Sequence, residues 1–170
     1  MTIEVPGSIR IPVGVVVERR AGVTAWAEHV WVAREVLEDA PAVAPWTVLR
    51  EEAGRTLFFA GIAEVALYPT DTDSYVHNLQ QEHPRIWVVL RPVAEAPGHR
   101  LQAVTVDAGE AELYAGSGSD LLEALPVPAG LRMILEGFVA QHHKQREFHK
   151  RKRDRADTEA RGRQAPQESS

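Results

Sequence analysis

Hydrophobic and polar side chains alternate from Ser8 to Glu18. Ile9, Ile11, Val13, Val15 and Val17 fall on one face, with Arg10, Pro12, Gly14 and Glu18 among those on the other. This period of two predicts a half-buried strand, and Pro12, which has no N–H to pair, places it at a sheet edge. Ala21-Gly22 supplies a turn. Trp26–Leu37 fits two periods: a strand groups Trp26, Val30, Val32 and Val36, whereas a helix groups Trp26, Val30, Ala33 and Leu37. The preceding strand and turn favour a strand.

Pro41–Pro45 is a proline-bounded loop before a short strand, Trp46–Glu51. Glu52-Ala53-Gly54 then turns the chain into a longer strand, Arg55–Tyr68. Leu57, Phe59, Gly61, Ala63, Val65 and Leu67 share one face of it, and Phe58, Ile62 and Tyr68 make the other partly apolar. That pattern predicts a central strand, with Gly61 marking a bulge. Thr70–Asp73 opens a short helix carrying Tyr75, Val76 and Leu79. Ile86–Arg91 and Leu101–Val106 read as strands joined through Pro97-Gly98, Asp107 caps a helix through Tyr114, and Gly116–Asp120 reads as a flexible loop. In Pro128–His143, Leu131, Ile134, Leu135, Phe138, Val139 and His142 form one helical stripe.

The expected fold is α+β: a mainly antiparallel sheet of five or six strands with a long C-terminal helix packed on it. One domain covers residues 1–149, and residues 150–170 form a basic, largely disordered tail. Its 170 residues are 44% hydrophobic and 25% charged, which suits a domain with a real core. The chain has no cysteine, which excludes disulfides, thiolate metal sites and cysteine nucleophiles. No apolar run reaches the roughly 20 residues of a membrane span. Met1–Gly7 lacks the pattern of a signal peptide, and Arg19-Arg20 reads as a hairpin end, not an export signal, so a cytoplasmic location is expected.

Charge is unevenly placed. Residues 1–143 hold 10 Arg against 19 Asp and Glu, a balance of −9, while residues 144–170 carry +4. An acidic body does not fit a nucleic-acid-binding face. The basic arm, Lys144, Arg146, Lys150, Arg151, Lys152, Arg153 and Arg155, is the expected partner-binding element; the alternative is a solvated end. Phe148 is its last apolar anchor, so one or two more helical turns are expected before it frays.

The candidate chemistry is sparse. Gly116-Ser-Gly-Ser-Asp120 resembles half of a phosphate loop, yet a predicted helix precedes it and no Gly-Lys-Ser/Thr follows. Asp71, Asp73, His77 and His83 form one potential metal cluster, and His142, His143, Glu147 and His149 another; helix capping and ordinary packing are the alternatives. No Gly-x-Ser-x-Gly elbow is present, and Glu51-Glu52 lies in a turn. Trp26, Trp31, Trp46 and Trp87 sit in strand-like segments, either as core or as an interaction surface. No catalytic, cofactor-binding or metal residue is assigned, and no cofactor is expected.

Several stretches together resemble an uncharacterised proteobacterial family, domain of unknown function 3305. They are Ile11–Arg20, Trp26–Trp31, Ala44-Pro45-Trp46, Phe59-Ala60-Gly61, Tyr75–Leu79, Trp87–Pro92 and the ending Phe138–Asp157. The resemblance implies gene neighbourhood with formate dehydrogenase and its accessory factors. It therefore implies a non-enzymatic accessory or adaptor protein for assembly or maturation of a molybdenum-dependent formate dehydrogenase, with a component of that enzyme as partner. The alternative is an enzyme acting on a nucleotide-linked cofactor in molybdopterin-guanine dinucleotide synthesis. Nucleotidyltransferases of that pathway open with a Gly-rich loop after the first strand, whereas this first strand ends in Glu18-Arg19-Arg20-Ala21-Gly22. The family has no established catalytic residues to carry over.

Overall fold

The computed structural model describes residues 4–22 and 29–143. Seven strands are described: β1 (Ile9–Arg20), β2 (Val30–Leu37), β3 (Thr47–Glu52), β4 (Arg55–Leu67), β5 (Arg85–Pro92), β6 (His99–Thr105) and β7 (Leu121–Pro126). Helix α1 (Thr72–Leu79) follows a 3-10 turn, Pro69–Asp71, and helix α2 (Ala108–Ala115) lies between β6 and β7. Residues 129–143 are helical.

The strands form two antiparallel sheets, not one. The first has the order β2-β1-β4-β3 and the second β6-β5-β7. The second sheet gains its third member from Leu121–Pro126, which the sequence reading left without structure. The run Leu-Leu-Glu-Ala-Leu-Pro has no period-two contrast, because every residue before the proline is only half-buried. Strand β1 is central, between β2 and β4. Pro12 is tolerated because β2 pairing begins only at Gly14, so at Pro12 the strand has β4 alone as neighbour.

Val13, Val15 and Val17 of β1 join Ile86, Val88 and Leu90 of β5 in one core, closed by Leu131, Leu135 and Phe138 of the closing helix. Each such side chain contributes about 1.5–3 kcal/mol on leaving water. Two bulges set which residues of the neighbouring strands reach this core. Opposite β1, Val15 faces Gly61 and Val16 faces Phe59, so Ala60 is an extra residue in β4. Gly61 adopts φ 134°, a region that disfavours any side chain, as the expected bulge requires. The bulge reverses the alternation. Ala60 joins Val65 and Leu67 in the core, while Leu57 and Phe59 turn to the other face, which corrects the single face drawn through all six.

A second bulge lies in β2, where Val16 faces Glu35 and Val17 faces Ala33, leaving Arg34 as the extra residue. Trp31, Ala33 and Val36 therefore pack inward in place of the expected Val30, Val32 and Val36. Trp26 lies outside the described residues.

The closing helix is tied to the first sheet at its start. Pro128 C=O opens the helix's own ladder by accepting from Arg132 N–H at 2.9 Å, and the tie is Glu38, just after β2, whose carboxylate accepts from Leu131 N–H at 2.5 Å. The described part of this helix ends at residue 143. The basic arm from Lys144 to Arg155, with the helical turns and the fraying expected of it, and the tail beyond it lie outside the described residues.

Candidate functional site

The outer face of the first sheet is covered over only part of its area. Residues 38–46 cross it, with Ala40 close to Gly14 and Pro45 close to Gly61. Beyond that cover, the face opens into a bowl of about 390 Å³ lined by Val16, Glu18, Arg34, Glu35, Arg50, Glu52, Arg55 and Leu57. Four strands contribute. The β2 bulge inserts Arg34 and sets the side of the sheet on which its neighbours emerge.

Glu18 lies at the floor with only 3% of its side chain exposed. Its carboxylate meets three guanidinium groups. Arg20 Nε donates to Oε1, Arg34 Nε lies 2.9 Å from Oε2, and Arg55 Nε lies 3.7 Å from Oε1. The hydrogen bond from Arg20 holds the Glu18 carboxyl below the usual carboxylate range. Burial opposes that shift, and the charges of Arg20, Arg34 and Arg55 add to it. Glu18 is thus a buried anion whose charge is compensated threefold. On the rim, Arg50 pairs with Glu52 at 2.5 Å.

The inner side of the same sheet carries an aromatic cluster. Trp31 stacks on Phe58 with centroids 5.8 Å apart, meets Trp46 edge-on at 5.7 Å, and lies 5.0 Å from the His99 ring. Arg19 lies over the Phe58 ring at 5.1 Å. The Arg19-Arg20 pair therefore divides between the sheet's two faces, Arg19 on the aromatics and Arg20 on Glu18. His99 Nδ1 is buried with no hydrogen-bond partner among the described residues, and burial pushes its pKa below the ordinary histidine value. Trp87, apart from this group, borders a groove with His77 and His83.

The two clusters proposed for metal binding are partly brought together. His143 Nδ1 lies 3.6 Å from Asp73 Oδ1 and 3.3 Å from Thr72 Oγ1, joining one member of each. His142 instead packs on Phe138, with centroids 4.4 Å apart. Among the described residues, no group of three His, Asp or Glu is placed to hold a metal. Glu147 and His149 lie outside them.

The Gly116–Asp120 loop is exposed over Gly116–Ser119 and anchored at Asp120. Asp120, whose side chain is fully buried, accepts from Arg91 Nε and Nη2 at 2.9 Å each, and its N–H donates to Ser117 Oγ. The loop runs from the end of α2 into β7, the reverse of the strand-to-helix order a phosphate loop needs. Asp107 does cap α2, accepting from Gly109 N–H at 2.8 Å.

The edge of the first sheet is a different kind of surface. Among the described residues strand β3 pairs only with β4, and after Thr47 it is exposed along its whole length. Val48 and Leu49 are 50% and 44% exposed, Ile62 of β4 is 59% exposed, and Val43 lies open in the loop before the strand. Sequence reading missed both this edge and the Glu18 bowl. The apolar-polar contrast of Val48-Leu49-Arg50-Glu51-Glu52 marks the edge. The bowl has no local signature, since its residues come from four strands.

The family described as "Protein of unknown function (DUF3305)" matches residues 12–152. The chain belongs to this family. A comparison with curated proteins finds no match, and neither does one with solved structures. No helix among the described residues is long and apolar enough to cross a membrane.

Proposed function

We propose that this member of the family is a cytoplasmic, non-enzymatic adaptor that assists assembly or maturation of a molybdenum-dependent formate dehydrogenase. The observation that carries the reading is the open β3 edge, which among the described residues pairs with no strand but β4 and carries exposed Val48 and Leu49. An extended segment of a client protein adds to such an edge through main-chain hydrogen bonds, and its alternate apolar side chains settle on the exposed valine and leucine. Charged Arg50, Glu51 and Glu52 guard the other half of the strand against indiscriminate pairing. The identity of the client rests on the resemblance, which implies the formate dehydrogenase neighbourhood. In this reading the basic arm, Lys144 to Arg155, adds electrostatic attraction to an acidic client, strongest at low salt.

Deleting the gene in its native host and assaying formate dehydrogenase tests the reading. The adaptor role requires activity to fall while the enzyme's polypeptides are still made. Unchanged activity removes it.

A further inference from the structure

We propose that the bowl over Glu18 is a binding site for a small organic oxyanion, a carboxylate or phosphate group gripped by the guanidinium groups of Arg34 and Arg55. The charge pattern at its floor is the first argument. One buried carboxylate faces Arg20, Arg34 and Arg55, a local surplus of two positive charges. Glu35 on the wall lowers that surplus by one, and Arg50 and Glu52 cancel on the rim. The arginines and glutamates that line the bowl balance one another, so the one remaining positive charge comes from Arg20 beside the lining, and it favours an anion over a neutral ligand.

Geometry is the second argument. Arg34 and Arg55 each approach Glu18 through Nε, and a guanidinium engaged at that nitrogen still carries the N–H donors of its two terminal amino groups. A guanidinium carries five N–H donors in a planar fork, and this fork matches a carboxylate or phosphate in two parallel hydrogen bonds. Glu18 restrains the three arginines, so a ligand loses less entropy in ordering them. The bowl's about 390 Å³ lies within the size range of small-molecule sites, and Val16 and Leu57 supply an apolar floor for the ligand's carbon skeleton.

Stability alone does not account for the arrangement. A buried ion pair is a weak stabiliser compared with well-packed apolar side chains. The same sheet face is covered by chain near Ala40 and Pro45, and Gly14 allows Ala40 its close approach. Beside that cover the charged half lies open.

Calorimetric titration of the full chain with pyrophosphate and with citrate, against glycerol as a neutral control, tests the site and separates phosphate from carboxylate recognition. Binding of at least one anion is expected, weakened about tenfold by Arg55→Ala and strengthened severalfold by Glu35→Gln. Both residues are largely exposed, so neither variant should disturb folding, and thermal melts verify this. Failure of both anions to bind at about 10 mM, or equal binding by parent and Arg55→Ala, would show a purely structural charge network. The readout needs no protein partner, so it stands or falls separately from the adaptor reading.

Discussion

The carboxylate of Glu38, at the end of β2, caps a helix that begins more than ninety residues later, accepting from Leu131 N–H at 2.5 Å. Leu131 belongs to the first helical turn, whose N–H groups have no partner within the helix, and a negative charge there also complements the helix dipole. The contact requires Gly130, because a methyl group at that position would fall on the Glu38 carboxylate.

A double-mutant cycle measures this cap. Glu38→Ala should cost about 1 kcal/mol, the usual value of a lost N-cap. Gly130→Ala in the parent should give no net gain, since displacement of the cap offsets the improved helix propensity. In the Glu38→Ala background the same change should stabilise by about 0.5–1 kcal/mol. Urea melts of the four proteins give the coupling, and strictly additive effects would refute it.

Asn78 is the second structural fastener. Its Nδ2 donates to Arg85 C=O at 2.7 Å and Val106 C=O at 3.0 Å, while Oδ1 accepts from Arg85 N–H at 2.9 Å. Three backbone groups, two of Arg85 at the start of β5 and one of Val106 just after β6, depend on one buried amide. Asn78→Leu should destabilise by about 2–3 kcal/mol, because the partners left behind are shielded from water. Thermal unfolding should show a midpoint several degrees lower; an unchanged midpoint would mean that water replaces the amide.

Gly61 sits at the β4 bulge with φ 134°. Gly61→Ala places a Cβ in a strained backbone region and should cost about 1–3 kcal/mol. Gly137→Ala in the closing helix is the control, since an added methyl there meets nothing within 4 Å and should be neutral or stabilising.

Acid should unfold the protein in two phases. Burial lowers the pKa of His99, so the unfolded chain takes up a proton near pH 6.5 that the folded protein does not. Stability therefore declines as pH falls below about 6.5. Glu18, held down chiefly by Arg20, and Asp120, held down chiefly by Arg91, have folded pKa values below their unfolded ones. Their contribution is complete above about pH 5 and disappears as pH falls through the folded values. His99→Gln should flatten the upper phase and Asp120→Asn the lower one in urea midpoints taken from pH 8 to 3. Unaltered slopes would contradict these assignments.

The strand elements were legible where alternation was regular. Ile9–Val17 is such a segment, the unbroken apolar run Ile86–Leu90 marks a buried strand without alternation, and the Asp107 cap and the stripe through Leu131 and Phe138 follow local rules. The faces of β2 and β4 were not legible beyond Ala33 and Ala60, because each bulge shifts the period by one residue and no composition signal fixes where. Gly61 was the exception, since its missing Cβ announced the bulge. The division into two sheets is not legible in the sequence because β7 lacks alternation and pairs with β5 across α2. The candidate sites escaped for a related reason: Glu18 looked like the solvent-facing end of a strand until Arg34 and Arg55 closed over it from the two neighbouring strands.

The most direct test of the adaptor account is binding of the full chain to the catalytic subunit of formate dehydrogenase in its cofactor-free form, measured by surface plasmon resonance. The account predicts saturable binding by the parent, weakened at least about tenfold when Val48 and Leu49 are both replaced by Lys in a protein that melts like the parent. Absence of binding by the parent, or equal binding by the variant, would contradict it.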